Sequence, residues 1–179
     1  MGQYYYPINA DKKQFIYPHK FGDGFKLLEF GASGNGTMLG LAILLAVGNG
    51  RGGGDLHSEN SIIGSWAGDR VMMLGDYAEP SDAVNMEMKT ITEPKLKKII
   101  KDVWGEKSDW EDISEYVIEA LCEDIHIRDS FLDMVAWHDW CEADWYFIFT
   151  KEEIAKRRKE NEEKKKEQDK SLRPDMIIG

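Results

Sequence analysis

Apolar and polar residues follow two different periods along this chain, and each period predicts a different kind of half. Near the start, Gln3–Asn9 is aromatic and β-favouring, Ala10–Lys13 is polar, and Gln14–Tyr17 is a second short run. Together they predict a β-hairpin, which Pro18 ends. Phe25–Phe30 reads as a further short strand. Asn35 or Thr37 caps a predicted buried helix running to Val47, with Gly48 as its stop and Met38, Leu41, Leu44 and Leu45 on one face. Gly36 and Gly40 each weaken that helix by about 1 kcal/mol. Ser61–Trp66 and Arg70–Leu74 read as two strands of a second hairpin, joined through Ala67, Gly68 and Asp69.

Beyond Pro80 the period lengthens. Val84, Met86 and Met88 alternate as in a strand, yet residues 82–90 fit a helix as well. From Thr92, Pro94 stands at a favoured first-turn position, and Leu96, Ile99, Ile100 and Val103 recur at helical spacing up to Gly105. A second helix is predicted over Trp110–Asp124, with Ile113, Tyr116, Val117, Ala120 and Leu121 on one face, and a third over Asp129–Trp137. Trp145–Phe149 is an aromatic strand candidate. Thr150 and Glu153 fit a capping box, and the helix they start should reach about Lys170. Past Ile154 and Ala155 it has no apolar stripe, which predicts a solvated arm held by Glu-to-Lys pairs one turn apart. The elements add up to an α+β fold. Residues 1–150 form one predicted domain, with a glycine-rich, strand-rich half (1–80) and an acidic, mainly helical half (81–150). Residues 151–170 form the arm, and 171–179 a tail whose Met176, Ile177 and Ile178 are expected to fray.

Charge sharpens this division. The 179 residues carry a net charge of −10, but the arm is nearly balanced, so residues 1–150 hold thirteen basic groups against twenty-five acidic ones. Residues 109–144 hold twelve carboxylates and one cation, Arg128. Such a surface repels phosphate backbones, which argues against direct nucleic-acid binding and for a partner protein with a basic surface. Glu111, Asp112, Glu115, Glu119 and Glu123 are the partner-binding candidates. The longest apolar run, Leu39–Val47, is too short for a membrane span, and the opening residues lack a signal-peptide pattern. Cys122 and Cys141 do not suggest a disulfide framework. A cytoplasmic location is expected, without membrane contact.

Fourteen of the seventeen glycines lie between Gly22 and Gly75. Within that stretch, Gly50, Gly52, Gly53 and Gly54 allow backbone N–H groups to converge on an anion, with Arg51 beside them. Asp55, His57, Asp69 and Arg70 sit on turns nearby and extend this ligand-binding candidate, which suits a nucleotide or another small phosphorylated ligand. The pattern at Gly48, Gly50 and Gly53 follows a helix rather than a strand, the wrong setting for a dinucleotide fold, and no Walker lysine follows. His126, His138, Asp139, Cys141 and Glu142 are possible zinc ligands whose spacing fits no standard template. No metal or cofactor is therefore expected. Hydrolase, metalloprotease and Cys/His nucleophile signatures are absent, so an enzyme is not favoured.

Four segments carry a resemblance. They are Met1-Gly2-Gln3-Tyr4-Tyr5, residues 21–38, Gly48–Leu56 and Gly64–Val71. They resemble, over about the first 80 residues, a family of bacteriophage and bacterial proteins that carries no established activity. The resemblance implies a small accessory interaction protein, such as a phage-encoded inhibitor of a host defence protein or nuclease. The acidic surface would then mimic nucleic acid.

Overall fold

Asn9 turns the first hairpin. Its carboxamide oxygen accepts the N–H groups of Asp11 and Lys12 at 2.9 and 3.0 Å, reversing the chain between β1 (Tyr5–Asn9) and β2 (Gln14–Phe15). In the computed structural model, which describes residues 2–32, 34, 36–105, 108–137 and 145–171, the chain has an α+β fold in two compact units, Met1–Asp124 and Ile125–Gly179. Asn35 and the 171–179 tail, apart from the helical Ser171, lie outside the described residues.

The first unit is built on a four-stranded sheet in the order β3-β1-β2-β4, with β3 at Val71–Gly75 and β4 at Glu111–Asp112. β1 runs antiparallel to β2, with Ile8 opposite Phe15, and antiparallel to β3, from Tyr5 opposite Gly75 to Asn9 opposite Val71. β2 and β4 are parallel. The predicted first hairpin is therefore present, but the second is not. Residues 61–69 form successive turns instead, with Ser65 N–H bonded to Ile62 C=O and Ala67 N–H to Gly64 C=O. Gly64 explains the turns: its φ is +71°, and a Cβ there would lie 2.5 Å from the Ala46 carbonyl. β3 has no strand from 61–66 to pair with and pairs with β1.

Phe25–Phe30 is likewise not a strand but the approach to α1 (Leu27–Gly31). Glu29 takes the Lys26 N–H at 3.1 Å, holding the first turn closed where six residues offer no sheet partner. α2 (Thr37–Leu45) ends before Val47, and its cap comes from far upstream: the Asp23 carboxylate accepts both the N–H and the hydroxyl of Thr37, at 2.6 and 2.7 Å. Gly40, which weakens α2 in isolation, is where α2 comes closest to its neighbours. A Cβ there would stand 2.9 Å from Phe21 and 3.0 Å from Val117.

Residues 82–90 are helical only over α3 (Asp82–Asn85). α4 (Glu93–Trp104) has its predicted bounds, with Pro94 in the first turn and Leu96 and Val103 buried. With Ile8, Leu74, Ala83, Ile91 and Trp110 they form the core on one face of the sheet. α5 is shorter than predicted, Ser114–Leu121, because Glu111 and Asp112 are drawn into β4 and the Asp112 carboxylate accepts the Ser114 N–H at 3.0 Å. Its buried positions include Ile118, while Tyr116 is 54% exposed. Tyr6 stacks between Phe15 and Trp104, at centroid distances of 5.4 and 4.2 Å.

In the second unit, α6 spans Ile125–Trp137 and α7 spans Lys151–Ser171. The capping box is formed: Glu153 accepts the Thr150 N–H at 2.8 Å, and Thr150 Oγ1 accepts the Glu153 N–H at 3.2 Å. Trp145–Phe149 is a tight turn, with Phe149 N–H bonded to Trp145 C=O, and not a strand. α7 stands in solvent over residues 162–168, as expected, but not over its whole length. Its first half packs on α6 through charge: Arg157 reaches Asp133 at 3.0 Å and Asp129 at 2.9 Å, and Arg128 reaches Glu153 at 2.7 Å. A helix without an apolar stripe can still pack when each cation meets a carboxylate.

Candidate functional site

The glycine loop is closed on itself. Asn49 spans its ends, accepting the Leu56 N–H at 3.1 Å and donating to the Leu56 carbonyl at 2.6 Å. Gly48, Gly50 and Gly54 have positive φ, which lets the chain double back. The N–H groups of Arg51 and Gly52 do converge on an anion, but it is the protein's own: Asp55 Oδ2 accepts them at 2.8 and 3.1 Å. A Cβ added at Gly53 would meet nothing within 4 Å, so no close approach requires a glycine there. An external phosphate at those amides would have to displace Asp55.

The remaining ligand candidates separate into two places. His57 and Gly50 line an open polar depression of about 520 Å3 together with Glu59 and Glu123. Asp69 and Arg70 are tied instead to the β1–β2 turn. Asp69 accepts from Asn9 at 2.8 Å and pairs with Lys12 at 2.9 Å; the Asn9 hydrogen bond first, then Lys12, hold its carboxyl below the ordinary range. Arg70 clamps Asp11 through its guanidinium and its backbone N–H. That contact lowers the Asp11 pKa and raises that of Arg70. These hydrogen bonds hold the end of β3 to the hairpin.

The acidic candidates are less uniform than their sequence suggests, because cations from distant segments neutralise some of them. Lys20 pairs with Asp112 at 3.1 Å and Glu115 at 2.7 Å. Burial opposes the charge on Lys20, but its hydrogen bonds to Glu115 and Asp112 leave its pKa raised. Lys13 pairs with Asp109 and depresses its pKa. In the second unit, Arg157 takes Asp129 and Asp133. Among the described residues, the Glu111 side chain accepts only from the neutral Gln14, at 2.8 Å, and the Glu123 side chain only from Asn60, at 3.3 Å. Glu119 has no hydrogen-bond or ion-pair partner among the described residues. Glu115 and Glu119 lie one turn apart on α5, Glu123 follows in the next turn, and Tyr116 is exposed beside them.

The zinc candidates His138, Asp139, Cys141 and Glu142 lie outside the described residues. Among the described residues no group of three or more His, Cys, Asp or Glu side chains is arranged to hold a metal, and no helix is long and apolar enough to cross a membrane. Two features escaped the sequence reading. Tyr116 is expected on the buried face, but Ile118 and Ser114 join Val117, Ala120 and Leu121 there and centre the buried stripe about 120° away from Tyr116, which leaves it exposed. The run Lys95, Lys97, Lys98 and Lys101 was read only for its apolar spacing, although its charge stands out in an acidic chain.

Comparison with protein-family models, with curated proteins and with solved structures finds no match for this chain.

Proposed function

We propose that this is a small interaction protein that binds a basic protein surface through α5 and the turn after it. The supporting observation is the exposed row of Glu115, Glu119 and Glu123, in which Glu119 and Glu123 have no compensating cation among the described residues and Tyr116 adds an aromatic side chain. Carboxylates at the rim steer a basic partner and set its orientation, while an exposed tyrosine supplies the apolar contact that such surfaces use as an anchor. The row repels polyphosphate and offers carboxylates to the Arg or Lys side chains that would otherwise hold it. A cytoplasmic inhibitor that occupies the nucleic-acid site of a host defence nuclease fits these properties.

Immobilised protein is used to capture partners, and the captured partner is then titrated against wild type and against Glu119→Lys/Glu123→Lys. Two reversed charges should weaken binding by about 2 kcal/mol, roughly thirtyfold, and flatten its salt dependence. Tyr116→Ala should weaken it by a similar amount without changing the salt slope. Unchanged affinity in both variants would sink the proposal.

A further inference from the structure

β3 is an edge strand, and its register shows which of its peptide groups are free. Ala10 N–H bonds to Arg70 C=O and Asp76 N–H to Tyr4 C=O, at 2.9 and 3.0 Å, so the even-numbered residues of β3 turn their peptide groups toward β1. The N–H and C=O groups of Val71 and Met73 therefore point away from the sheet, and no hydrogen bond reaches them among the described residues. Edge strands are ordinarily blunted by charge, proline or a bulge. Val71–Gly75 has no charged residue and no proline, and its pairing with β1 runs without a bulge.

Beside this edge lies a cavity of about 400 Å3, within the roughly 300–1,000 Å3 of ligand pockets. Met72 and Leu74, which pack on the core face, line it together with Met73 from the opposite face. Side chains from both faces of one strand share a cavity only around its edge. The far wall is Met86, Met88 and Leu96. Glu87 has a φ of +49°, a left-handed conformation uncommon outside glycine, and lines a neighbouring cavity while both flanking methionines line this one. Met86 is 68% exposed. Methionine adapts to apolar side chains of different shape.

Charge selects the occupant. Residues 71–90 hold four carboxylates, Asp76, Glu79, Asp82 and Glu87, against one cation, Lys89. None of the four has an ion-pair partner among the described residues, and Asp82 lines the cavity itself. A second copy paired along the same edge would set these carboxylates against their own kind, whereas a basic segment would neutralise them.

We propose that the open edge of β3 takes an extended segment of a partner protein as an added strand, one that carries apolar side chains between lysines or arginines. Its backbone pairs with the N–H and C=O groups of Val71 and Met73, an apolar side chain fills the methionine-lined cavity, and its cations meet Asp82 and the carboxylates around it. β3 and β4 stand at opposite ends of the sheet, and α5 follows β4, so this surface is separate from the α5 row and either can fail without the other.

The test follows the Val71 and Met73 amide resonances and the methionine methyl resonances of the isotopically labelled full chain. The probes are acetylated, amidated peptides that alternate threonine with one apolar residue, Val, Leu, Met or Phe, between lysine ends. Saturable shifts of these resonances with at least one peptide are the expected result. N-methylation of one alternating set of peptide residues should weaken binding about tenfold, and of the other set leave it unchanged, because only one set faces β3. Glutamate ends in place of lysine should also cost about tenfold. No saturable shift with any peptide would overturn the proposal, as would equal loss from both N-methylated sets. Equal binding of lysine- and glutamate-ended peptides would overturn the basic partner. Shifts of the same resonances on dilution of the chain alone would identify the occupant as a second copy and overturn it too.

Discussion

Replacing Asn9 with alanine should loosen the sheet of the first unit more than any exposed substitution in it. The side chain is fully buried and makes three hydrogen bonds: two accepted from the turn amides of Asp11 and Lys12, and one donated to the Asp69 carboxylate. A neutral hydrogen bond contributes about 1 kcal/mol net, and one to a charged group about 1.5–3 kcal/mol. Asp11 and Lys12 are exposed, so water recovers part of the turn, and the total loss comes to about 3 kcal/mol. Amide exchange in β1 and β3 under conditions that report global opening should quicken roughly a hundredfold. Asn9→Asp separates the two roles. It keeps the acceptor for the turn but sets a second carboxylate against Asp69, so the pair holds one proton above the ordinary carboxyl range and the variant gains stability as pH falls toward 4, about the ordinary carboxyl pKa. Wild type has the opposite slope there: the depressed Asp69 and Asp11 contribute above the unfolded carboxyl pKa and lose that contribution as pH falls through their folded values. A loss below about 1 kcal/mol for Asn9→Ala, or an acid-side slope in Asn9→Asp matching wild type, would refute the linking role given to Asn9.

Two further outcomes follow from packing and burial. Arg157→Ala removes the cation shared by Asp129 and Asp133, leaving Asp133 with the neutral Asn161 donor; amide protection in the first half of α7 should fall by about 1–2 kcal/mol, and Arg157→Lys should restore only part of it. Burial first, and then the charges of Tyr17, Asp112 and Asp76, push the Tyr6 phenol up to about 12. Its stabilising contribution is therefore complete below the ordinary tyrosine pKa of about 10 and is lost as pH rises from there through its folded value. Phenolate absorbance should show one tyrosine ionising late, and Tyr6→Phe should remove that late step; a titration with no late tyrosine would contradict the stacked placement between Phe15 and Trp104.

The elements that could be read from the sequence are those whose decisive contacts lie within a few residues. Asn9 finds the amide donors it accepts from two and three positions on, Pro94 presets the first turn of α4, and Thr150 and Glu153 close their box across three residues. The α+β class follows from them. Misread segments had their outcome decided elsewhere: α2 is capped by Asp23, fourteen residues upstream, and Glu111 and Asp112 leave the α5 pattern to lie beside β2. Site residues divide in the same way. Asp55 sits four residues from the amide it binds, so the closure of the glycine loop on its own carboxylate is a local matter. The cavity beside β3 is not local, since Tyr5, Met73 and Leu96 meet only in space.

By itself, then, the sequence determined the two halves, the hairpin, the start of each well-capped helix and the acidic sign of the α5 surface. Hydrogen bonds between near neighbours and the period of apolar residues act before any tertiary contact forms. Only the tertiary structure decided that β3 pairs with β1, that Lys20 and Lys13 neutralise part of the acidic segment, and that Arg157 packs the first half of a polar helix. Strand pairing and Coulomb attraction depend on distance through space. Residues 24 to 96 positions apart acquire that distance only when the chain has closed on itself.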